Sequence, residues 1–230
     1  MLPSISKYKV YLYLFFFIFL SSIFNFKYLE NYTDMFSLKK ININGVHYKE
    51  QINIEEELNN LKNTNILKIN KFSVLKKLAK FDFLEGINVK KILPSSININ
   101  LSTTPILGKT FLNGEEFYIG KNGKFINSNQ IFKKYKTATV FGKFEVKEFL
   151  NLYNILNSQQ LEIDEIDYYY YFKNRRWDLV FSNGLILKLP TKNKKDSIKI
   201  FKELIDNDKL TNTKIIDLRV SNQIIMTNNE

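Results

Sequence analysis

Residues 89–102 read Val89-Lys90-Lys91-Ile92-Leu93-Pro94-Ser95-Ser96-Ile97-Asn98-Ile99-Asn100-Leu101-Ser102. From Ser96 the alternation is strict. Ile97, Ile99 and Leu101 fall on one side of an extended chain, and Ser96, Asn98, Asn100 and Ser102 fall on the other. This is the pattern of a half-buried strand with a wet face. Just upstream, Ile87 and Val89 share one face of a second strand over 87–91, and Leu93-Pro94 punctuates the two.

The residues before this pair supply a cover for its dry face. Residues 38–43 alternate Ile41 and Ile43 against Asn42 and Asn44 and predict a third strand, ended by the Asn44-Gly45 turn. Asn53 with Glu56 three residues on is a capping-box pattern, and Ile54, Leu58 and Leu61 follow at helical spacing. Asn63–Asn65 breaks that helix. A second helix is predicted over 71–80, with Phe72, Leu75, Leu78 and Ala79 as its apolar stripe. The order β-α-α-β-β, two helices over three strands, is a small α+β unit.

Downstream the pattern is mainly β. Asn122-Gly123 and Asn183-Gly184 are hairpin turns, since Gly supplies the positive φ these turns require. Strands are predicted over 117–119, 124–126, 137–141, 165–172, 176–181, 185–189, 215–220 and 223–227. Two helices interrupt them. One covers 146–157, with Val146, Phe149, Leu150, Tyr153 and Leu156 inward. The other covers 194–206, with Asn193 as cap and Ile198, Phe201, Leu204 and Ile205 inward. The expected second unit is a mainly antiparallel sheet with helices on one face.

Upstream, Val10 to Phe26 carries no charge. As a helix it would be ~26 Å long, enough to reach across a bilayer core. Tyr8, Tyr11 and Tyr13 lie toward one end, as interfacial aromatics do. Lys7 and Lys9 precede the run and Lys27 follows it. Ser21 and Ser22 are the small residues of a signal-peptide cleavage site, but the apolar run continues through Ile23, Phe24 and Phe26, which favours a retained anchor. The short basic tail favours a cytoplasmic N-terminus.

The whole chain has 230 residues, 44% of them hydrophobic and 25% charged, a balance that folds. It has no Cys and a single His, His47. Disulfides, thiolate metal sites, cysteine nucleophiles and multi-His metal centres are therefore excluded. The net charge is +11. The surplus is nearly all Lys, scattered among Asn and Ile, with few Arg, the usual reader of phosphate and base edges. This argues against nucleic acid and for a solvated Lys-rich surface.

Glu162, Asp164, Glu165 and Asp167 cluster at a predicted strand start. Paired carboxylates can hydrolyse glycosides, but Asp164 and Glu165 are adjacent and would point to opposite faces of a strand. A solvated strand entry is the simpler reading. Tyr168–Tyr171 could stack on sugar rings, or fill the two buried faces of one central strand. His47 follows a turn and is expected to be exposed rather than catalytic. Neither a nucleophile elbow nor a phosphate loop is present. No enzyme activity and no cofactor are expected.

Four blocks carry a resemblance. Lys39-Lys40-Ile41-Asn42-Ile43-Asn44-Gly45 and Val89–Ile99 look like the first strand and the last strand pair of a POTRA domain. Arg176-Trp177-Asp178-Leu179-Val180-Phe181-Ser182-Asn183-Gly184, running on to Lys188-Leu189-Pro190, resembles an "R-W-x-L-x-L-x-N-G" hairpin. Ile216-Asp217-Leu218-Arg219-Val220 resembles a "V-D-L-R-Y/V" terminal strand. In this order they resemble the FtsQ/DivIB family of bacterial cell-division proteins, over essentially the whole chain. One departure stands out. The family's "E-x-x-P" after the third POTRA strand is here Ser102-Thr103-Thr104-Pro105.

The resemblance implies an α+β protein. It would have a cytoplasmic tail (1–9), one transmembrane helix (10–26), a POTRA domain (36–104), a mainly antiparallel β domain (105–227) and a short C-terminal tail (228–230). It implies a non-enzymatic divisome scaffold in the inner membrane, single-pass with the bulk periplasmic, concentrated at the division septum. The expected partners are FtsB/FtsL-type bitopic proteins adding a strand to the last strand's edge, and an FtsK-type upstream recruiter at the POTRA domain. The implied contact residues are Arg176, Val220, Ser221, Ile224, Ile225 and Met226. Arg176 matches a positively charged family position in the neighbouring strand, and an aromatic is common where Val220 stands. An exported POTRA-type chaperone or secretion component is the alternative.

Overall fold

The structure is a computed structural model that describes residues 7–22, 35–207, 209–210, 212–220 and 223–228. Helix α1 covers Lys7–Ser22, 16 residues. Lys7 and Lys9 occupy its first turn. No helix among the described residues is long and apolar enough to cross a membrane. This corrects the transmembrane helix expected over 10–26, and with it the inner-membrane, single-pass placement. Residues 23–26 of that run lie outside the described residues.

The first unit contains β1 (Lys40–Asn44), α2 (Tyr48–Leu58), α3 (Lys71–Leu78), β2 (Leu84–Ile92) and β3 (Ser96–Thr103). The sheet order is β1-β3-β2. β1 runs parallel to β3 with Ile41 beside Ile97, and β2 is antiparallel to β3 with Val89 beside Ile99. The alternation read from Ser96 onward holds, because Ile97, Ile99 and Leu101 are buried against Ile54, Leu58, Val74 and Leu78.

Two helix readings need correction. α2 starts five residues before Asn53. His47 is its N-cap, with Nδ1 accepting from the Lys49 N–H, and the Glu50 carboxylate accepts back from the His47 N–H. His is not among the preferred caps, so the sequence pattern carries no signal for it. On α3 the buried pair is Val74 and Leu78, while Phe72 is 71% exposed. Asn70 is that helix's cap and accepts from the Phe72 N–H, which leaves Phe72 in the first turn, clear of the core.

The second unit comprises β4 (Ile106–Leu112), β5 (Glu115–Gly120), β6 (Phe125–Asn127), β7 (Thr139–Phe141), α4 (Val146–Ser158), β8 (Ile166–Tyr171), β9 (Trp177–Phe181), β10 (Ile186–Lys188), α5 (Lys194–Asp206), β11 (Thr213–Asp217) and β12 (Ile225–Asn228). Among the described residues they form one sheet in the order β12-β11-β10-β9-β8-β7-β4-β5-β6. β4 and the Asn113-Gly114 turn behind it have no counterpart in the sequence reading. The pairs β4–β7, β7–β8 and β10–β11 are parallel, so the sheet is mixed, and α4 and α5 lie in the crossovers that parallel neighbours need.

One sheet face packs on both helices. Leu179, Trp177, Phe181, Leu187 and Ile216 from the strands share a core with Phe149 and Leu156 of α4 and Ile198 and Phe201 of α5. On the opposite face, Tyr118 of β5 and Ile126 of β6 pair across the ladder and are buried in the core of the first unit. The first unit thus covers the β5–β6 end of the sheet. Polar bonds fix the joint. Asn122 Nδ2 donates to Asp82 O at 2.9 Å, Lys124 meets Asp82 at 3.1 Å, and the Phe132 N–H donates to Glu50 Oε1 at 3.2 Å. Thr104, standing in the Thr/Ser run that departs from the family pattern, is buried and accepts from the Asn122 N–H at 3.0 Å.

Candidate partner-binding edge

The end of the sheet far from the first unit is β12, whose one neighbour among the described residues is β11. The hairpin register sets Met226 opposite Ile216 and Ile225 opposite Asp217. All four residues of β12 are exposed, Ile225 at 48% and Met226 at 39%. An edge strand presents a row of backbone N–H and C=O groups, so its exposed apolar side chains stand beside open hydrogen-bonding capacity.

Val220 and Ile224 lie in the connection between β11 and β12, not in a strand as the alternation predicted. The Val220 carbonyl accepts from the Gln223 N–H at 3.2 Å and turns the chain there. Both side chains are exposed, at 47% and 46%. They border a groove of about 770 Å³ that runs between this connection and α5, with Pro190, Asn193, Ile200 and Leu218 also on its walls. Ser221 lies outside the described residues.

Arg176 is not on the edge. It precedes β9, three strands in from β12, which is ~14 Å at ordinary strand spacing. Its Nε donates to Asp178 Oδ1 at 3.1 Å, and its guanidinium covers the Phe172 ring at 4.1 Å from the centroid. The structure therefore brings Val220, Ile224, Ile225 and Met226 together and sets Arg176 apart from them.

What joins Arg176 to the edge is a row of charges on the sheet face opposite the helices. Asp178 of β9 stands beside Lys188 of β10, Lys188 beside Asp217 of β11, and Asp217 beside Ile225 of β12. Arg219 closes on Asp217 as a fork, Nε reaching Oδ1 at 2.7 Å while its NH2 donates to Oδ2. Burial pushes the Asp178 carboxyl above its ordinary range, against the pull of Arg176, Lys188 and Arg219. The Arg219 hydrogen bond holds Asp217 below the ordinary range, against its burial. Asp178, Asp217 and Arg219 were missed as site residues. The available signal was the i, i+2 spacing of Arg176/Asp178 and Asp217/Arg219, which puts each pair on one face of an extended chain.

Beyond this row the same face carries Tyr170, beside Asp178, and Phe141, whose ring stacks on Tyr170 at 5.2 Å. Tyr168 and Tyr170 are exposed while Tyr169 is fully buried, so only one face of β8 is filled from within the chain. At the acidic cluster, Ile163–Glu165 is a short 3₁₀ turn. A hydrogen bond with Glu162 raises the Glu165 carboxyl. His47 is exposed, and its imidazole stacks on Phe132 at 4.7 Å.

Known proteins resemble this chain in sequence along most of its length. Residues 36–102 match the family model "POTRA domain, FtsQ-type", and residues 112–219 match "Cell division protein FtsQ/DivIB, C-terminal". The chain is 26% identical over 196 residues to "Cell division protein FtsQ" of Rickettsia bellii, covering 82% of this chain and 71% of that protein. It is 24% identical, with the same coverage, to the protein of that name from Rickettsia typhi. A solved structure, the major extracytoplasmic domain of the trans isomer of the bacterial cell division protein DivIB from Geobacillus stearothermophilus, superposes with a TM-score of 0.34. It shares 11% identity and covers 47% of this chain and 97% of that one.

Proposed function

The chain belongs to the FtsQ/DivIB family of cell-division proteins, and from that premise we propose that it is a non-enzymatic divisome scaffold whose last strand takes a strand from a partner. The observation that carries this reading is β12 itself, an exposed edge with apolar side chains at the end of a sheet whose other end is covered. Backbone pairing at such an edge gives affinity, and the alternate side chains give specificity. The partner is a bitopic division protein of the FtsB/FtsL type. Its strand lies against Ile225–Asn228, and its flanking residues reach the groove at Val220 and Ile224. Arg176 and Arg219, each already bound to an aspartate, offer remaining N–H donors to partner carboxylates on the adjoining face. The POTRA domain meets an upstream recruiter of the FtsK type, and the assembly gathers at the division septum.

Replacing Val220 or Ile224 with Asp tests this. Both side chains are exposed, so the variants fold. A pull-down from dividing cells then recovers the wild-type chain with its partners and the variants without them. Undiminished recovery of the partners by either variant would contradict the proposed edge.

A further inference from the structure

Among the described residues the two sheets have four outer edges, and they are not equivalent. β12 is the edge discussed above. β6 is short, three residues, and its Ile126 face is buried in the core of the first unit. β2 carries a register shift between Leu84 and Gly86 and two exposed lysines, Lys90 and Lys91, devices that guard an edge. β1 has exposed lysines only at its start, Lys39 and Lys40, and none along its centre. Its register against β3 runs unbroken from Lys40 beside Ser96 to Asn44 beside Asn100, with no proline and no bulge. Among the described residues β3 is its one neighbour.

The direction of its backbone groups follows from the pairing. The Lys40 N–H donates to Ser95 O at 3.2 Å, so it faces β3. Alternation turns Asn42 and Asn44 the same way, and it aims the N–H and C=O of Ile41 and Ile43 outward.

We propose that β1 pairs antiparallel with β1 of a second copy of this chain, about a two-fold axis at Asn42. In that register Asn42 faces its symmetry mate, Ile41 faces Ile43 twice, and Lys40 faces Asn44 twice. Both isoleucine pairs are outward-bonding residues, so each exchanges two backbone hydrogen bonds. No lysine meets a lysine, which like-charge repulsion across a ladder would penalise. The two neighbouring registers are worse. An axis at Ile41 sets Lys39 against Ile43, and an axis at Ile43 sets Ile41 against Gly45, losing both isoleucine pairs.

The wet face supports the same register. Asn42 Nδ2 donates to Asn98 Oδ1 at 2.7 Å, and Asn44 Nδ2 donates to Asn100 Oδ1 at 3.3 Å. Each Asn42 amide retains acceptor and donor capacity toward its mate, so the axis continues an amide ladder Asn98–Asn42–Asn42–Asn98 across the interface. The product is a six-stranded sheet with an isologous, self-closing contact, independent of β12.

The absence of cysteine makes the register directly readable in the full chain. Facing Asn42 positions stand ~4.5–5.5 Å apart at Cα, within disulfide reach, while the two Asn44 positions are offset by ~13 Å. Under mild oxidation Asn42→Cys gives a disulfide-linked dimer, and Asn44→Cys gives one about tenfold more slowly or not at all. In sedimentation, Asn42→Lys and Asn42→Asp each shift the chain to monomer, and their equimolar mixture restores the dimer. Equal cross-linking at the two positions, no cross-link from a folded Asn42→Cys chain, or no recovery on mixing the charged variants would overturn the proposal. So would a disulfide from Asn42→Cys to a different protein.

Discussion

The Phe132 N–H donates to Glu50 Oε1 at 3.2 Å, so a residue of the β domain is held by the first helix of the POTRA domain. Glu50 is 6% exposed, and its other oxygen accepts from the His47 N–H at 3.1 Å. Lys49 Nζ sits 4.0 Å from the centre of the Phe132 ring, on which the His47 imidazole also stacks. One carboxylate therefore closes a helix cap and a domain joint at once.

Replacing Glu50 with Ala removes both bonds and leaves two partly buried N–H groups without an acceptor. The expected loss is about 1.5–3 kcal/mol for each bond, the range for hydrogen bonds to a charged group. Glu50→Gln, which keeps one acceptor oxygen, loses less. Urea unfolding of the two variants checks the order.

Tyr169 gives a prediction of opposite sign. Its ring is fully buried against Phe149, at 5.3 Å edge to face, and its hydroxyl has no hydrogen-bond partner among the described residues. Burial pushes that hydroxyl far above the usual tyrosine range. Tyr169→Phe deletes the unsatisfied group and keeps the packing, so it raises stability by about 1 kcal/mol. A lower melting temperature would mean that the hydroxyl is satisfied in solution.

Acid stability is set partly on the charged row. Asp217 is held below its ordinary range by Arg219, so the unfolded chain binds more protons in the interval between the two pKa values. Its contribution is present above the unfolded value, ~3.9, and is lost as pH falls through the folded one. Asp178 runs the other way, because burial raises it and its charging opposes folding as pH climbs past the ordinary aspartate range. Asp217→Asn is accordingly less stable than wild type at neutral pH, and the difference shrinks as acid is added. Denaturant midpoints from neutral pH to ~2 measure it.

How far the sequence exposed all this varies by element. Strict alternation made β3 readable, and Asn-Gly made the β5–β6 and β9–β10 hairpins readable, where Gly123 and Gly184 have φ of 81° and 85°. β4 was hidden, since Ile106–Leu112 mixes Gly108 and Lys109 with a central position between β5 and β7 that only tertiary pairing reveals. The parallel pairing of β7 with β4 and β8 is equally non-local. At the candidate edge, Ile224, Ile225 and Met226 looked like any apolar run. Their exposure follows from strand order, which periodicity does not encode. Arg176 was read into the strand neighbouring the edge, and the same non-local strand order sets it at the start of β9, three strands in from β12. The uncharged run from Val10 was read by composition alone, and the part of it that the structure describes, up to Ser22, belongs to a helix that also carries Lys7 and Lys9.

The proposed strand addition is tested most directly by amide hydrogen exchange along β12, with and without a peptide carrying the strand-forming segment of the FtsB/FtsL-type partner. Alternate amides of an edge strand face away from its one neighbour, so in the unbound chain those of Ile225–Asn228 exchange fast. On binding, the account predicts that these amides slow by about tenfold or more, while β11, already paired on both sides, changes little. A peptide that binds with unaltered exchange in β12, and with protection elsewhere on the sheet, would contradict it.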